Sequence, residues 1–187
     1  YAVFVPAASP HRTMADLARA FKADPAAIAW DAGARGGPAH LLVAYLAKTV
    51  GADPAKVKLA SSPQAAAAGI AKLRDVQEAV KAGRVRALAV TSPAATAGIA
   101  SLKEQGINLV FANWHGLLAG PGLKPSQRDE LLSKVKAATS TPAWKALLEA
   151  EGWTPVWLTG SDYARFLDEE SRSLGYLAGP LGLRPRR

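Results

Sequence analysis

Cysteine is absent from the 187 residues and methionine occurs once. Disulfide frameworks, thiolate zinc sites and cysteine nucleophiles are therefore excluded. Histidine is scarce too: His11, His40 and His115 stand far apart and form no HExxH or comparable ligand pair, so no metal site is expected. No apolar run reaches the about eighteen residues that span a bilayer, and Tyr1–Pro6 has neither the basic start nor the apolar length of a signal peptide. The expectation is a soluble chain whose targeting segment lies outside this sequence. A Gly-x-Ser-x-Gly elbow is missing, and the carboxylates of Asp168, Glu169 and Glu170 sit on a terminal helical pattern as a solvated face. Nothing in the sequence argues for an enzyme or a cofactor.

Hydrophobic residues make up 49% of the chain and charged ones 20%, enough apolar material for one large or two small domains. The net charge, 23 basic less 15 acidic residues, is +8, which points to an anionic partner. Its distribution argues against nucleic acid. Basic residues are scattered singly, the tail Arg184, Arg186 and Arg187 forms the only cluster, and no basic run is interleaved with aromatics. What remains is a binder of a small anion.

Strand and helix signals alternate. Tyr1–Val5 is a short apolar strand stopped by Pro6, and Thr13-Met14-Ala15-Asp16 is a capping box opening a helix to about Ala23. Ala27–Asp31 reads as a strand, Gly37-Pro38 opens a helix to about Val50, and Val57–Ala60 reads as a strand. Pro63–Leu73 and Asp75–Ala82 read as helix closed by Gly83, followed by the strand Val85–Val90. Periodicity then lapses over Ser92–Ala100, so a domain boundary is expected there, between 1–93 and 94–187. Beyond it the pattern predicts strands at Ile107–Phe111 and Thr154–Leu158. Helices are expected from Pro125 to about Ala138, from Thr141-Pro142 to Ala150, and from Ser161 to about Leu177. Such alternation implies an α/β fold with a mostly parallel sheet covered by helices.

The segment Trp30–His40 carries the one suggestive site, because it joins a strand to a helix through Gly33, Gly36 and Gly37. Backbone amides at such a turn point outward with the positive end of the helix dipole behind them, which suits a carboxylate or phosphate. Arg35 adds a bidentate donor at the crest. His40, inside the helix, is expected to be packed or capped. A dinucleotide fingerprint and a Walker loop are both excluded by spacing, since Gly33-x-x-Gly36-Gly37 is neither Gly-x-Gly-x-x-Gly nor Gly-Lys-Ser/Thr. Ser61-Ser62-Pro63 also follows a strand and opens a helix, making a second anion-friendly turn. The candidate ligand-binding residues are therefore Ala34, Arg35, Gly36, Gly37, Ser61 and Ser62.

At these residues the sequence resembles the substrate-binding proteins of tripartite tricarboxylate transporters, the periplasmic solute receptors of the Bordetella uptake family. The resemblance runs through Val3–Pro6 with Thr13–Leu17, Gly33–Leu42, Lys81–Ser92, Leu102–Gly106 with Asn113–Gly116 and Pro121-Gly122, and Ser140–Lys145 with Gly152-Trp153 and the terminal helix. It implies type 2 periplasmic-binding-protein lobes that close on an organic carboxylate of the di- or tricarboxylate class, handed on to membrane permease subunits, without catalysis, metal, cofactor or nucleic acid. It further implies that 1–93 is the second, ligand-binding lobe and that 94–187 holds the crossover and the C-terminal part of an incomplete first lobe. This chain departs from the family at several points. Between Ser62 and Asp75 it is shorter, lacking a glycine-rich loop and the strand that follows; Ala34 and Pro38 replace hydroxyl residues, Ala39 an acidic one, and His115 an arginine. Two other outcomes stand beside the receptor: the effector-sensing domain of a LysR-type transcription regulator, and a degenerate fragment with no ligand. An open or partner-covered apolar face is expected where Ile107, Leu109 and Phe111 meet the terminal helix.

Overall fold

The structure, a computed structural model, describes residues 1–183, so the basic tail Arg184, Arg186 and Arg187 lies outside the described residues. Two compact units appear: Tyr1–Asn113 together with the chain from Glu170 on, and Trp114–Glu169. Residues 94–113 thus pack with the first unit, although the sequence pattern loses its periodicity before them.

The first unit is a five-stranded sheet with helices on both faces. In chain order its elements are β1 (Ala2–Pro6), α1 (Met14–Ala23), β2 (Ala29–Asp31), α2 (Pro38–Val50), β3 (Lys58–Leu59), β4 (Ala68–Ala71), α3 (Leu73–Lys81) and β5 (Val85–Val90). The spatial order is β3-β2-β4-β1-β5. β2 pairs in parallel with β3 and β4, whereas β1 runs antiparallel to both β4 and β5. The α/β class is as expected, but the sheet is mixed rather than mostly parallel. Strand direction is set by the path of the connections and leaves no mark on a strand's own residues.

Local sequence accounts for the helix ends. Thr13 caps α1 by accepting from the Asp16 amide, while Asp16 accepts from the Thr13 amide in return. Those bonds from Thr13 hold the Asp16 carboxyl below its ordinary range. Pro38 starts α2, and Gly51 ends it at φ +78°, where a Cβ would be strained.

The largest departure from expectation is β4. Pro63–Leu73 reads as helix, yet only Pro63–Ala65 makes a 3-10 turn, and Ala68–Ala71 is a central strand between β2 and β1. The strand expected to be missing after Ser62 is therefore present. Alanine favours helix, but Gly69 lies opposite Phe4 in the ladder, and the Phe4 ring occupies the space a side chain there would need.

Alternation in β1 divides the core. Val3 and Val5 join Met14, Leu17 and Phe21 of α1, Trp30 of β2, and Leu42, Val43 and Leu46 of α2. On the other face Ala2 and Phe4 meet Val76 of α3 and Val90 of β5. The Trp30 ring stands edge-on to Phe21 at 5.0 Å.

Ile107–Phe111 is not a strand. Leu109 is buried in the main core, with Ile107 and Phe111 packed against that core and the Phe111 ring beside Tyr1 and Tyr45, so the expected open face is not there. Buried Thr91 holds the segment, donating its hydroxyl to the Phe111 carbonyl at 2.8 Å and accepting the Phe111 amide at its own carbonyl.

In the second unit α4 (Pro125–Thr139) and α5 (Pro142–Glu151) precede α6 (Gly160–Ala178), whose residues from Glu170 on belong to the first unit. No residue from Trp114 to Glu169 is buried. Thr154–Leu158 is not a strand, and Val156 is 74% exposed. With no neighbouring strand, a β-favouring sequence has nothing to pair with. Exposed apolar side chains are concentrated here, whereas at Ile107–Phe111 Val110 is the only exposed one.

Candidate functional site

The turn that leads from β2 into α2 opens on a cleft of about 380 Å³. It lies beyond the carboxyl ends of the parallel strands β2 and β4, where α/β sheets place ligands. Asp31, Ala32, Gly33 and Ala34 line one side, Gly37, Pro38 and Ala39 the helix start, and Ile70, Ala71, Lys72 and Asp75 the other side, with Tyr1 between.

Backbone bonding decides which amides face an anion. The Gly37 amide donates to the Ala34 carbonyl at 2.9 Å, closing the turn, and the Gly36 amide donates to His40 Nδ1 at 2.9 Å. Both are therefore committed within the loop. Gly36 has φ +81° and supplies the left-handed residue of the turn, while Gly37 is extended at φ −73°. No side chain caps α2. The amides of Ala39 and His40, in the first turn, precede any intrahelical acceptor and have none among the described residues.

His40 is the packed residue its position predicted, 2% exposed and accepting at Nδ1, which places its proton on Nε2. Burial lowers its pKa, and the nearby Arg35 charge lowers it further. The imidazole thus stays neutral and serves as a brace for the turn.

Of the six residues expected to bind ligand, Ala34 and Gly37 line the cleft. Arg35 is not among the residues lining the cleft and donates through Nη2 to the Leu181 carbonyl. Leu181 and Leu177 are buried against Ala44 of α2, and the Tyr45 hydroxyl bonds with Ser173, so residues 173–183 strap this helix. Gly36 lies under Leu183, whose nearest carbon would be 3.4 Å from a Cβ there. Ser61 and Ser62 follow β3 but are not among the residues lining the cleft. The Ser62 carbonyl accepts the Ala65 amide in the short 3-10 turn.

The residues that sequence reasoning missed are the charged ones. Asp31 was legible as the last residue of a strand before the glycine turn. Lys72 was not, because it follows a strand that reads as helix. Tyr1 and Asp75 face each other electrostatically: burial raises the Tyr1 phenol pKa, and the Asp75 carboxylate raises it further. The net charge of +8, which points to an anionic partner, is not repeated in the side chains here: the lining holds one basic side chain, Lys72, and two carboxylates, Asp31 and Asp75.

Mixed-sheet α/β architecture with a cleft at the strand ends is the fold of a periplasmic-binding-protein lobe. The chain belongs to the tripartite tricarboxylate transporter family receptors, whose model matches residues 1–183. Among solved structures it resembles a Polaromonas solute-binding protein of this family, solved without ligand, at 20% identity and a TM-score of 0.67, covering 97% of this chain and 65% of that one. It also resembles an R. palustris protein solved with adipate (20%, 0.69, covering 99% and 66%) and the periplasmic binding protein BugD (15%, 0.61, covering 99% and 67%). The chain therefore spans about two thirds of the length of these proteins or slightly less. No curated protein matches it. Among the described residues no helix is long and apolar enough to cross a membrane.

Proposed function

We propose that the chain is the ligand-binding part of a periplasmic receptor that takes up a small organic carboxylate and presents it to the permease subunits of a tripartite transporter. The observation that carries this is the cleft at the ends of β2 and β4, onto which α2 opens with uncapped first-turn amides. A carboxylate seated there accepts from the Ala39 and His40 amides at the positive end of the helix dipole, over the turn Ala34–Gly37. Arg35 has five N–H donors and commits one to Leu181, leaving others for the ligand. Ser61 and Ser62 extend the same edge of the sheet. In this reading 1–93 is the ligand-binding lobe and 94–187 the crossover with part of the other lobe, consistent with a chain two thirds as long as its structural neighbours. Family membership favours a receptor over the effector domain of a regulator, and over catalysis.

Nuclear magnetic resonance of the ¹⁵N-labelled protein titrated with adipate, glutarate and citrate tests the proposal. Saturable shifts centred on the amides of Ala34, Ala39 and His40 are expected. Shifts elsewhere, or none, overturn it.

A further inference from the structure

The charges at the cleft do not suit a ligand that is purely anionic. Asp31 is half-buried at the end of β2 and has no ion pair or side-chain hydrogen bond among the described residues. Asp75 lies in the first turn of α3, with Arg74 Nε 3.6 Å from its carboxylate, both side chains about half exposed. Lys72 carries the only basic side chain among the residues lining the cleft, and the Tyr1 ammonium donates to the Thr91 hydroxyl at 3.1 Å. A carboxylate placed beside a ligand site repels a second ligand carboxylate. The same group attracts a protonated amine or accepts strongly from it.

We infer that the ligand of this cleft carries a protonated amine as well as a carboxylate, with Asp31 as the residue that selects the amine. The inference rests on the carboxylate-receptor reading and sharpens it. The carboxylate takes the uncapped amides of α2, and the amine turns toward Asp31 across the mouth of the turn. Asp31 and Ala39 both line the cleft, so a ligand seated in it meets the carboxylate as well as the helix start. Tri- and dicarboxylates gain the amides and Lys72 but set their remaining charge against Asp31 and Asp75.

Three matched probes test this: 5-aminopentanoate, glutarate, in which a second carboxylate replaces the aminomethyl group, and 5-hydroxypentanoate. Affinities are read from amide titrations of the protein, which also show where each probe sits. The amine is expected to bind the wild type at least about tenfold tighter than glutarate, the scale of one charged hydrogen bond. Asp31→Asn should bring that ratio close to one while the Ala39 and His40 amides still respond. Lys72→Met, which leaves Asp31 intact, should weaken glutarate more than the amine. Glutarate or 5-hydroxypentanoate binding as well as 5-aminopentanoate, with shifts at the same amides, overturns the inference and leaves the carboxylate reading standing. A preference that survives Asp31→Asn also overturns it. No response to any probe at these amides overturns both.

Discussion

Gly69 is the position where one added methyl group has a consequence that can be worked out atom by atom. A Cβ there would lie 2.5 and 2.9 Å from Cε2 and Cε1 of Phe4, and closer still to Cζ. The ring cannot remain where it is, and it packs among Ala2, Val76 and Val90 on the α3 face. Moving it forfeits contacts and strains the β1–β4 ladder, in which Phe4 opposes Gly69. Overpacking of this kind costs about 1–3 kcal/mol. Against it, alanine removes the entropic cost of a strand glycine, worth about 0.5–1 kcal/mol. The steric term wins, so Gly69→Ala is expected to destabilise by about 1–2 kcal/mol net. The two terms separate in a second background: with Phe4→Ala the clash vanishes, and Gly69→Ala should then stabilise by about 0.5–1 kcal/mol. Urea unfolding followed by the fluorescence of buried Trp30 and by circular dichroism measures all four proteins as a double-mutant cycle. A Gly69→Ala effect of the same sign and size in both backgrounds would refute the account of why β4 is a strand.

Thr91→Val keeps the shape of a buried side chain but strips the donor from the Phe111 carbonyl, and is expected to cost about 1–3 kcal/mol in the same urea assay. His40 is neutral when folded because burial lowers its pKa below the ordinary 6.5, so as pH falls below about 6.5 the unfolded chain takes the proton first. Stability is therefore fully present above that pH, declines as pH falls toward the lowered folded value, and levels off beneath it; thermal melts should show that slope in the wild type and a flatter profile in His40→Gln. Gly37→Val places a side chain 3.0 Å from the Ala34 carbonyl and into the cleft, and should abolish the amide response to carboxylates at a position whose φ itself is ordinary. Arg35→Ala should weaken carboxylate binding about tenfold and loosen the Leu181 turn, which hydrogen exchange at Leu181–Leu183 would register.

Sequence alone determined the features whose causes are local. Thr13 and Asp16 satisfy each other's amides within four residues, proline fixes the first positions of α2, α4 and α5, and Gly51 and Gly152 end helices in a conformation other residues resist. Strands β1 and β5 were legible for the same reason, since a short apolar run stopped by Pro6 and one opened after Gly83 are written in neighbouring residues. The glycine turn before α2 was legible, as was the packed place of His40. Tertiary structure decided everything that depends on residues distant in the chain. The run Ala65–Ala68 favours helix until β1 lays Phe4 over Gly69, and the gain from completing the sheet exceeds a propensity worth a fraction of a kcal/mol per residue. Arg35 was free to face a ligand until Leu181, 146 residues later, offered its carbonyl. The charge of the cleft depended on β4 as well: only as a strand does that segment carry Lys72 and Asp75 to the edge where Asp31 ends, so a chain of net charge +8 presents two carboxylates and one basic side chain at its cleft. Net charge is a sum over the whole surface, whereas a ligand responds to the few groups that the backbone path brings within reach of it.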